Sequence, residues 1–236
     1  MFRTRKTPSI AALLAAMAAP LIVPATATAA ADLSYTYFEV DYINLDIDDF
    51  DDSDGLAEDF DDGDGWGLRG SFAFTPMFFG FADYSETDSD VTFTNDGTTF
   101  FSSSQDVARL DVGLGLNMPL DIAALNQPDL VVRAAYVDID VGNLDLGGSS
   151  DPSIDDLNDD RSDGWFTDAS LRSQLLPQLE ASVGLRYTDV QDSNELSFVG
   201  NAMFEFTPNW GVNLSVDAGD EIRTYGLGVR YSFARL

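Results

Sequence analysis

The sequence predicts an all-β protein: a ten-stranded antiparallel transmembrane up-and-down β-barrel with long acidic extracellular loops. Three observations predict it. A cleavable leader opens the chain, ten stretches then alternate between apolar and polar residues, and their connections alternate between short proline turns and long polar loops.

The leader comes first. Residues 1–31 begin with Arg3, Arg5 and Lys6, continue as an apolar run from Ile10 to Val23, and end in small residues. That is the three-part pattern of a secretory signal peptide. Ala29 and Ala31 fit the recognition positions for a cut before Asp32, and Ala27 and Ala29 fit a cut two residues earlier. Pro20, Pro24 and the short apolar core argue against an anchoring helix. No other stretch approaches the roughly 18 apolar residues of a spanning helix, so any membrane residence of the exported chain must use strands. The organisation is a signal peptide over 1–31 and one barrel domain over 32–236.

The strands follow in order. Phe38, Val40 and Tyr42 alternate with Glu39 and Asp41, and Trp66, Leu68, Phe72 and Phe74 with Gly67, Arg69, Ser71 and Ala73. Leu110, Val112 and Leu114 face away from Arg109 and Asp111, and Leu130, Val132 and Tyr136 away from Arg133. Leu179, Val183 and Leu185 oppose Glu180 and Arg186, and Tyr225 to Phe233 closes the set around Arg230. With the weaker stretches counted, strands are expected over 35–46, 65–75, 78–93, 98–118, 129–138, 164–175, 179–190, 194–207, 210–217 and 222–233. Ten is even, so both termini return to the short-turn side.

The turns agree. Thr75-Pro76-Met77, Leu176-Pro177-Gln178 and Thr207-Pro208-Asn209 are tight, with Met118 to Pro128 a longer member of that set. The opposite connections are 47–64, the hairpin at Asn95-Asp96-Gly97, 139–163, Asp189 to Ser193 and Ala218 to Glu221. Aromatic residues cluster at strand ends, including Tyr35, Tyr37, Trp66, Tyr84, Trp165, Trp210 and Tyr231, as interfacial girdles do. A soluble sandwich would present a richly charged outer face instead; here the non-apolar face is mostly Gly, Ser, Ala, Thr and Asn.

Charge excludes several function classes. The chain holds 41 acids against 12 basic residues, and beyond Lys6 there are nine arginines and no lysine. Such a balance opposes nucleic-acid binding, which depends on basic patches. Without cysteine there are no disulfides or thiolate ligands, and without histidine the usual general base and transition-metal ligand are missing. The 44% hydrophobic and 12% aromatic content is too high for disorder.

The interior carries the telling constellation. Parity turns Arg69, Arg109, Arg133, Arg172, Arg186 and Arg230 inward, together with Glu39, Asp41, Asp83, Asp111, Asp168, Glu180 and Glu205. Six positive and seven negative charges nearly cancel. In a narrow lumen they must pair or suffer a desolvation cost of several kcal/mol each. Two readings follow: bridges that plug the barrel, or a charge-lined, ion-selective path. Asp111 with Asp168 or Glu180 would be the carboxylate pair for acid–base chemistry, but carboxylates inside a barrel more often partner arginine, and no catalytic residue is assigned.

The loops are the third feature. Residues 46–64 hold eleven acids and 138–163 nine more, with Arg161 the single base. With Gly55, Gly63 or Gly65 at the sixth place of a calcium loop the first residue is Phe50, Glu58 or Phe60, never Asp, so no specific metal site or cofactor is expected. Weak, diffuse cation binding is expected at Asp48, Asp49, Asp51, Asp52, Asp61, Asp62, Asp155 and Asp156. Such a rim could bridge through divalent ions to lipopolysaccharide.

Ser34-Tyr35-Thr36-Tyr37, the block Asp64-Gly65-Trp66-Gly67-Leu68-Arg69-Gly70-Ser71, Pro76, Phe81, Tyr84-Ser85, Asn209-Trp210-Gly211 and Tyr225 to Phe233 resemble the xanthomonad-type family of small outer-membrane barrels. More broadly the chain is similar to OmpA/OmpX-like and opacity-type barrels. The likeness implies a bacterial outer-membrane protein inserted by the barrel-assembly machinery, which reads an aromatic-ended last strand. The sequence departs from it by adding Ala234-Arg235-Leu236 after Phe233, and in its acidic loops. Barrels with protease, palmitoyltransferase or phospholipase activity resemble one another in using histidine, which this chain lacks. The expectation is a monomeric, non-enzymatic barrel of envelope structure or surface interaction, in contact with outer-membrane lipids and lipopolysaccharide and without nucleic acid. A narrow cation-preferring porin-like channel is the alternative.

Overall fold

A computed structural model describes residues 33–47, 56–60, 62–95, 98–142, 160–191, 193–220 and 222–233. Eleven strands form in chain order: β1 Tyr37–Ile47, β2 Leu56–Phe60, β3 Gly63–Ala73, β4 Phe78–Asn95, β5 Thr98–Pro119 and β6 Asp129–Val141. β7 Asp160–Leu176, β8 Leu179–Val190, β9 Ser193–Glu205, β10 Trp210–Ala218 and β11 Ile222–Ser232 complete them. All but β2 form one antiparallel ring in chain order, and β1 pairs with β3 on one side and β11 on the other, which closes the barrel. Closure removes every edge within the ring, the condition for strands to cross a membrane.

β2 is the departure from expectation. It lies inside the predicted 47–64 loop and pairs Leu56–Phe60 with the outer part of β4, continuing the line of β3 along it. The β4–β5 hairpin is long enough to carry it, at 18 and 22 residues. β6 and β7 likewise run further outward than expected, to Val141 and from Asp160.

Two of the proline turns share one device. The Thr75 hydroxyl accepts from the Phe78 amide at 2.9 Å, and the Thr207 hydroxyl accepts from the Trp210 amide at 3.0 Å. Each threonine thereby satisfies an amide of its own turn. Aromatic pairs ring the outer surface at both ends. Trp66–Tyr84 and Trp165–Tyr187 lie toward the long loops, with centroids 5.5 and 5.6 Å apart; Trp210–Tyr231 lies toward the short turns at 4.9 Å. Between the rings Leu114, Val183, Leu185 and Leu214 are exposed, as a lipid-facing band requires.

Tyr35 and Tyr37 depart from the expected girdle. Tyr35 is buried inside, stacked on Phe79, and the Tyr37 ring lies 3.9 Å beneath the Arg230 guanidinium. The interior is two-sided as a result. Tyr35, Phe79, Phe81, Val131, Val137 and Phe166 form an apolar wall mostly on β4, β6 and β7. Gly113 and Gly115 open room for it: a Cβ on Gly115 would lie 2.0 Å from the Phe79 ring.

Candidate functional site

The barrel interior is the candidate site, and strand register builds it. Glu39 stands directly across from Arg230 on one side and Arg69 on the other, and Arg69 across from Asp83. Arg133, Asp168 and Arg186 form a second such row over β6, β7 and β8. Opposite charges at directly facing positions are the sheet's most favourable cross-strand arrangement.

Glu39 is the hub of the polar wall and is fully buried. Its Oε2 accepts from Arg230 Nε at 2.5 Å, its Oε1 accepts from Asn213 Nδ2 at 2.8 Å, and Arg69 Nη1 lies 3.5 Å from Oε1. Asn201 Nδ2 donates onward to Asn213 Oδ1 at 2.6 Å. Asp41 lies against Arg69 Nε at 3.3 Å, with its Oδ1 pressed over Gly228, where a Cβ would come within 2.3 Å. Only glycine leaves that space.

Asp168 is the hub of the other wall. Arg133 donates from Nε and Nη2, the latter at 2.7 Å, and Arg186 Nη2 lies 3.3 Å from Oδ2. Both cations also rest on rings: Arg133 is 5.1 Å from the Phe81 centroid and Arg186 is 4.4 Å from that of Phe166. Nearer the short turns, Arg172 grips Glu180 with Nε at 2.6 Å and Nη2 at 3.0 Å. Arg109 meets Asp111 at 2.9 Å.

The candidate acid–base residues are thus each held by arginine: Asp111 by Arg109, Asp168 by Arg133 and Arg186, and Glu180 by Arg172. Glu205 closes β9 at the short-turn end, where its amide donates to the Gln178 carbonyl. One inward partner was absent from the sequence reading. Asp217 meets Arg186 Nη1 at 2.5 Å. The signal for it existed, since Gly211, Asn213, Ser215 and Asp217 share one face of β10. Of the eight expected diffuse cation positions, Asp62 is exposed, and the other seven lie outside the described residues. Among the described residues, no group of three or more acids is arranged to hold a metal ion.

Beyond the outer girdle the loop-side rim is acidic. Asp88 and Asp106 face each other on β4 and β5, and the hydrogen bond that the protonated Asp88 carboxyl donates to Asp106, with partial desolvation and the Asp106 charge, pushes Asp88 up to about 6. On β6 and β7, Arg161 donates from Nε at 3.0 Å and Nη2 at 2.5 Å to Asp138. Those bonds hold the Asp138 carboxyl below its usual value.

Three solved structures illustrate what the chain is similar to. The β-domain of the Bordetella autotransporter BrkA aligns at TM-score 0.49 and 12% identity, over 86% of this chain and 100% of that one. OprG, an outer membrane protein of Pseudomonas aeruginosa, aligns at TM-score 0.48 and 11% identity, over 86% and 98%. The translocator domain of the Neisseria meningitidis autotransporter NalP aligns at 0.47 and 12%, over 94% of each chain. No curated protein matches the sequence. Residues 9–233 match the outer membrane protein beta-barrel domain, and the chain belongs to that family of the bacterial outer membrane.

Proposed function

We propose that this barrel is a non-enzymatic, monomeric component of the outer membrane whose lumen is closed by paired charges and whose acidic rim faces cations, lipopolysaccharide or other cells. One observation carries the reading: each interior arginine lies within 4 Å of a carboxylate, so the lumen's charge is spent on itself. The finer likeness to xanthomonad-type small barrels supports insertion by the barrel-assembly machinery. It rests on Ser34 to Tyr37, the Trp66 block and the strand ending at Phe233.

Planar-bilayer recording of the refolded protein tests this. The closed reading expects current no greater than a protein-free bilayer; a steady, cation-selective channel would overturn it. The channel is the second reading, favoured by the buried Asp41 carboxylate oxygens and Arg109 Nη2, which have no hydrogen-bond partner and would suit a hydrated path. At the rim, many carboxylates without ligand phasing concentrate ions rather than cage them. Calorimetry with Mg²⁺ or Ca²⁺ should therefore show weak, additive binding, and one saturable micromolar site would contradict it. The mature chain should begin between Ala30 and Asp32 and fractionate with the outer membrane. Recovery of Arg3 to Lys6 on the membrane-bound protein would refute that.

A further inference from the structure

The residues just before β1 lie inside the barrel rather than beside it. Ser34 and Tyr35 are buried, although the β1 ladder begins only at Tyr37. Arg172 Nη2 donates to the Ser34 carbonyl at 2.9 Å, and its guanidinium lies 4.5 Å from the Tyr35 ring centroid. The Tyr35 hydroxyl donates to Asp129 Oδ2 at 2.7 Å, and its ring stacks on Phe79 at 5.0 Å.

Topology gives these contacts their meaning. Around the ring, β7 is five strands from β1 by either route, through β3, β4, β5 and β6 or through β11, β10, β9 and β8. The contact of Arg172 on β7 with Ser34 and Tyr35, which lead into β1, therefore crosses a full diameter at the short-turn mouth. Higher in the lumen the described contacts span less: Arg69 to Ser215 and Phe81 to Phe166 each join strands three apart. A diametric contact divides the lumen at its level into two narrow halves, whereas a shorter chord leaves the wider part undivided.

The same segment is also the part of the closure that can leave. Its hold is mainly through side chains: Ser71 Oγ donates to the Tyr35 carbonyl at 2.7 Å, and the Thr36 hydroxyl accepts from the Ala73 amide at 3.0 Å. At Thr36 the Phe233 amide still bonds the carbonyl, which marks the hinge. Residues 34 and 35 can swing outward without breaking a ladder pair, and such segments open at lower free energy than barrel strands.

We infer that Ser34-Tyr35-Thr36 is a strap that seals the periplasmic mouth, and that the seat of Tyr35 on Arg172 is the gate to small hydrated solutes. The inference rests on the closed-lumen reading above. It places the last barrier at the strap, at the mouth of a lumen that the mid-barrel charge pairs narrow.

The test compares the full-length parent, Tyr35→Ala and Arg133→Gln in planar bilayers, each first shown to be folded by heat-modifiable gel migration. The strap predicts a silent parent, a rise of about an order of magnitude in current for Tyr35→Ala because pore width governs conduction, and little current for Arg133→Gln. A silent parent with an equally silent Tyr35→Ala overturns the strap and leaves the closed-lumen reading standing. An open parent overturns that reading as well. If Tyr35→Ala does not refold, labelling decides, since the chain has no cysteine of its own. Ser34→Cys in the folded protein should resist a membrane-impermeant thiol reagent, and rapid labelling would show that the strap does not occupy the mouth.

Discussion

Arg172–Glu180 and Arg161–Asp138 are one chemistry in two places. In both, an arginine donates Nε and Nη2 to the two oxygens of one carboxylate. Inside the barrel the two side chains are 9% and 4% exposed; on the rim the arginine is 70% and the aspartate beneath it 14% exposed. Water solvates the rim groups whether or not they meet, so their bond replaces hydration with little net gain. The interior pair has no such alternative. Removing one partner there strands a charge, and the same two hydrogen bonds become a condition of folding. Environment sets what a salt bridge is worth, and geometry alone does not.

The largest expected effect is at the hubs. Asp168→Asn leaves Arg133 and Arg186 facing each other without their shared carboxylate, and should destabilise the folded barrel by about 3–5 kcal/mol, read as a lower midpoint of urea unfolding in detergent. An unchanged midpoint would mean that the lumen is hydrated enough to solvate both cations. Arg133→Gln should cost somewhat less, because Asp168 keeps Arg186 at 3.3 Å. An Arg133→Gln loss exceeding that of Asp168→Asn would reverse the assignment of the carboxylate as hub.

A smaller, pH-dependent effect belongs to the outer hairpin. Asp88 holds its proton more tightly folded than unfolded, because its protonated carboxyl donates to Asp106, whose charge also repels the ionised form. A raised carboxyl contributes stability that is complete below the unfolded value of 3.8 and lost as pH rises through about 6. The end of the β4–β5 hairpin should therefore tighten on acidification over that window. Carboxyl NMR titration should place the Asp88 midpoint near 6, and Asp88→Asn should remove the pH dependence. A midpoint near the ordinary aspartate value would refute the shared proton. Smallest of all is Arg161→Gln, for which thermal unfolding should be unchanged within error; a clear drop would mean that the rim pair is far less hydrated than its exposure indicates.

Much of this is legible in the sequence. Alternation of period two dictates which face each strand residue takes, so it turns all six arginines from Arg69 to Arg230 inward, with all their carboxylate partners but Asp217. The pairings are not legible this way. Whether Asp168 meets Arg133, Arg186 or both depends on the register of three strands, which cross-barrel packing and turn geometry decide together. Asp217 sits at the strand's end, where alternation gives its weakest signal. Tyr35 is ambiguous for a related reason. An aromatic residue at a strand's start suits a lipid girdle equally well, and residues far away in sequence, Arg172, Asp129 and Phe79, give it a seat inside. β2 was hidden in acidic residues of low strand propensity, and it exists because β4 extends a paired edge beside it.

The most direct test of paired interior charge is a double-mutant cycle on both bridges: Arg172→Met with Glu180→Gln, and Arg161→Met with Asp138→Asn, each read by urea unfolding in the same detergent. The account predicts an interior coupling of about 2 kcal/mol or more, within the range for contacting residues, and a rim coupling indistinguishable from zero. Equal couplings at the two sites, or none inside, would contradict it.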